Sequence, residues 1–195
     1  MSRSSTRRPP ARAAAKRKSN TGLIVGVGIA AVVLVAAIGL ALARTAERNI
    51  GQKIADQGQG LHIQNPDDPL PAPWNSNPPT SGYHWGGGTA PWGILTEPVA
   101  DTLTVHNIEH GGIVIHYRQG LDQAAVVELT EVARGLLRQN PCVVMAPRAD
   151  DSIDSPIVLT AWNYLLPLEG VDAEQIRAFF SAHIGRGPEA VCRPV

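Results

Sequence analysis

Between Thr21 and Ala43 the chain runs for 23 residues without a charged side chain, and this interruption governs how the remainder can be divided. A helix of that length, rising 1.5 Å per residue, can cross a hydrocarbon core of roughly 30 Å with some tilt. The rival is the apolar part of a cleaved signal peptide, which is shorter, about 7 to 15 residues. Ala41-Leu42-Ala43 would suit a cleavage site, yet Arg44, Glu47 and Arg48 follow directly. The stretch therefore predicts one N-terminal transmembrane helix over 21–43. Gly22 and Gly26 are spaced for the close approach of two such helices, so a homodimer through the span is an expectation.

Charge supports a two-sided arrangement. The chain carries 17 Lys and Arg against 17 Asp and Glu, but seven of the cations (Arg3, Arg7, Arg8, Arg12, Lys16, Arg17 and Lys18) precede the apolar stretch with no acid among them. The positive-inside rule then places residues 1–20 in the cytoplasm as a disordered basic tail. Everything after Arg44 falls outside, which predicts a single-pass protein of the cell membrane. The tail has no aromatic residue, so the lipid bilayer and not nucleic acid is its expected partner. No protein partner can be read.

Residues 44–61 read as a juxtamembrane spacer or helix, and 62–195 as an extracytoplasmic domain. Its first part, 62–93, is a long loop too rich in proline and glycine for helix or central strand. It also holds Trp74, Tyr83, Trp85 and Trp92, so it reads as an ordered loop laid on the core. The triplet Gly86 to Gly88 lacks the flanking elements of a phosphate cradle. Ile94 to Val105 has β character broken by Pro98, Ile113 to Tyr117 and Cys142 to Ala146 read as strands, and so does Ile157 to Trp162. Two amphipathic helices are predicted, Asp122 to Asn140 and Asp172 to Ile184, each opened by a capping aspartate. Pro147 to Pro156, with Asp150, Asp151 and Asp154, reads as a solvated acidic turn. The order predicts an α+β fold, helices on one face of a mostly antiparallel sheet.

Chemistry concentrates in Leu103 to Arg118, which holds His106, Glu109, His110 and His116 beside Gly111 and Gly112. On a helix, His106 and His110 share a face with Cβ atoms about 5–6 Å apart, close enough to chelate one ion. On a strand they would stand roughly 13 Å apart, too far. Chelation thus requires a helical turn, which the glycine pair can terminate. His84 and His62 lie upstream and could complete a ligand set for copper or zinc, while a pair of packed histidines remains the alternative. His116 falls on the opposite strand face, outside the ligand set, and His183 reads as a packed histidine. Cys142 with Cys192 predicts one disulfide; the alternative is a copper site using Cys142 and Met145, although Val143-Val144 stand where such a site wants a histidine.

Three pieces carry a family resemblance: Asn77-Pro78-Pro79-Thr80-Ser81-Gly82-Tyr83-His84, Val105-His106-Asn107-Ile108-Glu109-His110-Gly111-Gly112, and Ala161-Trp162 with its following helix. On these residues the chain resembles an uncharacterised bacterial membrane-anchored family, domain of unknown function 3105. The resemblance implies a tethered domain and no particular activity. His106, Glu109 and His110 also resemble the H-x-x-E-H pattern of inverzincin metalloproteases, where two histidines bind zinc and the glutamate is the base; that pattern belongs on a long helix, whereas Gly111-Gly112 follow here at once. Three function classes result: a metal-binding domain using His106, His110, Glu109 and His84, an interaction module using the aromatic loop, and a zinc hydrolase.

Overall fold

The structure is a computed structural model that describes residues 33–39, 50–149, 152–189 and 191–192. Asp150 and Asp151 of the acidic turn lie outside the described residues. The chain forms two compact units, residues 1–42 and 43–195. In the first, residues 33–39 are helical (α1), with Val33, Leu34, Val35 and Ile38 exposed. Among the described residues no helix is long and apolar enough to cross a membrane. That finding corrects the predicted span over 21–43, the single-pass topology and the cell-membrane location. A dimer through the span rests on that span, whereas the expectation of bilayer contact draws on the basic tail as well. The rest of the stretch, and the tail 1–20, lie outside the described residues.

The second unit is built on a six-stranded sheet in the order β1 (Gln52–Lys53), β8 (Tyr164–Leu168), β7 (Ile157–Ala161), β5 (Ile113–Arg118), β6 (Val143–Arg148) and β4 (Gly93–Ile94). Beside it, β2 (His62–Ile63) and β3 (His84–Trp85) form a two-stranded parallel ladder. The α+β class holds, but the mostly antiparallel sheet is corrected to a mixed one. Strands β1, β8, β7 and β5 pair antiparallel, whereas β5 with β6 and β6 with β4 run parallel. The reason is α3 (Gln123–Leu137), which joins β5 to β6: a helical crossover returns the chain in the same direction, which a tight turn cannot do. Part of the stretch read as spacer or helix joins this sheet as β1, with Ile50 packed against the core.

Helices cover both faces, not one. Ile113, Ile115 and Met145 meet Leu129, Val132 and Leu136 of α3 and Phe179 of α4 (Ala173–His183). On the other face Val114, Val144 and Ala146 meet Ile108 of α2 (Asp101–Glu109), Ala90, Trp92 and Trp162. Burial on both sides explains why β5 and β6 read as nearly continuous apolar runs. Helices α3 and α4 begin where their capping aspartates dictate: Asp122 accepts from the Ala124 and Ala125 N–H groups, Asp172 from those of Glu174 and Gln175.

Helix α2 replaces the end of the predicted strand Ile94 to Val105. Its start at Ala100 has no side-chain cap, and its buried positions include Thr102, Thr104, His106, Asn107 and Glu109. With polar residues buried on several sides it shows no apolar stripe. Strand β8 is a further addition, reached from β7 through Asn163 in a left-handed conformation (φ 62°).

Candidate metal centre

The register of the small ladder is what first assembles the site. His62 and His84 are direct partners across β2 and β3, with the His84 N–H donating to the Leu61 carbonyl at 3.0 Å. Their ring centroids lie 4.8 Å apart. Helix α2 delivers His106 and Glu109 to the same place from positions i and i+3, which share a helical face. The His106 ring sits 5.1 Å from that of His84 and 5.8 Å from that of His62. One potential ligand atom from each of His62, His84, His106 and Glu109 lies within 4.8 Å of the others.

Glycines make the close approach possible. A Cβ on Gly86 would stand 2.6 Å from Cγ of His62, and one on Gly87 would stand 2.4 Å from the Trp85 indole. The triplet Gly86 to Gly88 therefore lets two rings lie against main chain, and it contributes a carbonyl to the site as well.

That carbonyl helps decide which ring nitrogens are available. His106 Nδ1 lies 3.0 Å from both the Trp85 and the Gly88 carbonyl oxygens, and His84 Nδ1 lies 2.9 Å from the Gly82 carbonyl. Carbonyls only accept, so Nδ1 carries the proton in both rings and each neutral ring presents its lone pair at Nε2. Backbone carbonyls orient metal-binding histidines in this way. His84 Nε2 and Glu109 Oε2 are then 2.8 Å apart, with both side chains fully buried. The other carboxylate oxygen, Oε1, accepts from the Gly60 N–H at 2.6 Å. Burial works to lower the His84 pKa, but the carboxylate and the Gly82 carbonyl outweigh it and raise the pKa. For Glu109 burial works upward, and His84 with the Gly60 N–H outweighs it downward. The pair thus demands a positive charge, either a proton or a cation.

His110, the residue that closes α2, occupies a second group with His106 and Glu189. Its Nε2 lies 2.9 Å from Glu189 Oε2, and its ring centroid is 4.5 Å from that of His106. Burial first, then the neighbouring His106, lowers the His110 pKa. Glu189 arrives on a C-terminal strap laid along the end of α2. Gly185, Glu189 and Cys192 donate their N–H groups to the carbonyls of Gly111, Glu109 and His110. The strap lies so close that a Cβ on Gly187 would fall 2.2 Å from the Glu109 carbonyl oxygen. A disulfide between Cys142 and Cys192 anchors its end.

Of the residues singled out by sequence, His84, His106 and Glu109 come together, with His62 completing the group. His110 stands beside the group, its ring against that of His106, and pairs with Glu189. The disulfide removes Cys142 from any copper site, and Met145 lies in the core beneath α3. His116 is buried beside Thr160 on the second face and joins neither group, and burial followed by Arg148 drives its pKa well below 6.5. His183 stacks on Tyr164 at 4.1 Å. The Glu109 carboxylate faces His84 and Gly60, not a space between His106 and His110, so the H-x-x-E-H reading finds its base already engaged. The aromatic loop turns inward: the Trp74 and Trp85 indoles donate to the Tyr83 and Gln64 carbonyls, and Trp92 packs in the second core. Glu189 carried no sequence signal, since only the strap brings it here.

No curated protein and no solved structure matches the chain. A family model described as protein of unknown function (DUF3105) matches residues 71–194, which takes in every residue of both groups except His62. That match covers more than half of the 195 residues, and the chain belongs to the DUF3105 family.

Proposed function

We propose that this domain binds one transition-metal ion, zinc or copper(II), through His62, His84, His106 and Glu109. The observation that carries the reading is the fully buried His84–Glu109 pair. A neutral imidazole lone pair and a carboxylate oxygen repel each other at 2.8 Å with both side chains sealed from water, and a cation bound by both atoms removes that repulsion. Metal bonds of about 2.0–2.2 Å to nitrogen and oxygen put tetrahedral ligands roughly 3.3 Å apart, so a site closes when His84 Nε2 and Glu109 Oε2 part slightly from 2.8 Å and the other ligand atoms, within 4.8 Å, draw in. Three imidazoles and one carboxylate suit zinc or copper(II) better than calcium or magnesium, which prefer oxygen, or copper(I), which prefers sulfur. Four protein ligands fill a tetrahedral shell, whereas catalytic zinc sites keep a position for water. Binding, not hydrolysis, follows from that count.

Titration of the chelator-treated full chain with zinc and with copper(II) tests this. One ion per chain is expected, with affinity reduced at least about tenfold in His62→Ala. The His62 side chain is 44 % exposed, so this variant leaves the core intact. Absence of specific binding in the wild type, or unchanged affinity in the variant, would overturn the reading.

A further inference from the structure

We propose that His106, His110 and Glu189 form an outer docking position for the same cation, and that one ion passes between outer and inner positions on Nε2 of His106. This rests on the metal reading above. Ligand atoms of these three residues lie within 4.8 Å of one another, as they do in the inner group. Exposure is graded along the line: the His84 and Glu109 side chains are sealed from water, whereas His110 is 22 % and Glu189 42 % exposed. A carboxylate at the mouth draws cations from solution, and the histidine beside it can hold one there.

His106 is common to both groups, and it has one lone pair to offer. Its Nδ1 proton is committed to the Trp85 and Gly88 carbonyls, so only Nε2 is left to bind metal. The two positions therefore compete for the same nitrogen, and the chain holds one ion with a full ligand set, not two. Transfer inward is a ligand exchange: bonds to Glu189 and His110 break as bonds to Glu109, His84 and His62 form, while the bond to His106 persists. Any proton on His84 leaves to water as the metal arrives.

His62 is the other opening to the inner group, and entry there would give Glu189 no part in loading. Stopped-flow mixing of the chelator-treated full chain with zinc, read by tryptophan emission, separates the two routes. In Glu189→Gln and in His110→Gln the loading rate is expected to fall about tenfold or more, while the end point stays at one ion per chain. Wild-type loading rates in both variants would overturn the handover, as would a second tightly bound ion in the wild type. No ion bound at all would overturn the metal reading with it, so the two failures are distinguishable.

Discussion

Removing the disulfide should cost the fold a large and calculable fraction of its stability. Cys142 and Cys192 are separated by 50 residues, and the link restricts the unfolded chain far more than the folded one. In the chain-entropy treatment a closed loop of that size is worth about 4 kcal/mol at 25 °C. For a protein of this length each kcal/mol moves the melting temperature by about 2–4 °C, so Cys142→Ala/Cys192→Ala should melt about 8–16 °C lower. Urea unfolding of the variant should show a somewhat larger dependence on denaturant, because its unfolded chain is more open. Reductant should shift the wild type towards the variant and leave the variant unmoved. A loss below about 1 kcal/mol would refute the reasoning: the strap would then be held by its hydrogen bonds to residues 109–111 alone, and the covalent link would be incidental.

Two further perturbations probe other parts of the structure. Asn107 is fully buried and clasps Ala90, accepting from its N–H at 2.9 Å and donating to its carbonyl at 3.0 Å; Asn107→Ala strands both groups and should cost about 3 kcal/mol in urea unfolding. His116 is held neutral by burial with a pKa well below 6.5. Below pH 6.5 the unfolded chain takes up a proton that the folded chain refuses, so stability falls with acidification, by up to about 1.4 kcal/mol per pH unit from this residue. Above that range both states are neutral and the contribution vanishes. His116→Gln should therefore flatten the acid side of the stability profile, and an unchanged profile would count against a buried neutral ring.

Elements whose burial follows a helical period are the legible ones. Helices α3 and α4 each carry an apolar stripe behind an aspartate, and Asp122 and Asp172 cap them as their spacing predicts. Helix α2 hides because its polar residues find partners far along the chain: Thr102 donates to the Pro66 carbonyl, Asn107 clasps Ala90, and Glu109 accepts from Gly60. Local pattern cannot express such satisfaction at a distance. For the apolar stretch at 21–43 composition suggests a span, whereas among the described residues no helix is long and apolar enough to cross a membrane.

The same distinction divides the site. Spacing alone makes His106, Glu109 and His110 candidates, because three- and four-residue intervals are properties of one turn. Pairing His62 with His84 depends on the register of a two-residue ladder, and Glu189 depends on glycines that let the strap lie against α2. Neither leaves a local mark. The glycine triplet illustrates the cost of judging a motif without its neighbours: its place in the structure is to seat the His62 and Trp85 rings and to orient His106.

The most direct measurement is the metal titration carried out side by side on the wild type, His84→Ala and His116→Gln. His84 and His116 are both buried histidines, but only His84 faces the Glu109 carboxylate. One zinc or copper(II) ion per chain in the wild type and in His116→Gln, with binding abolished in His84→Ala, is the expected result. Equal binding in all three chains, or none in the wild type, would contradict a cation held between His84 and Glu109.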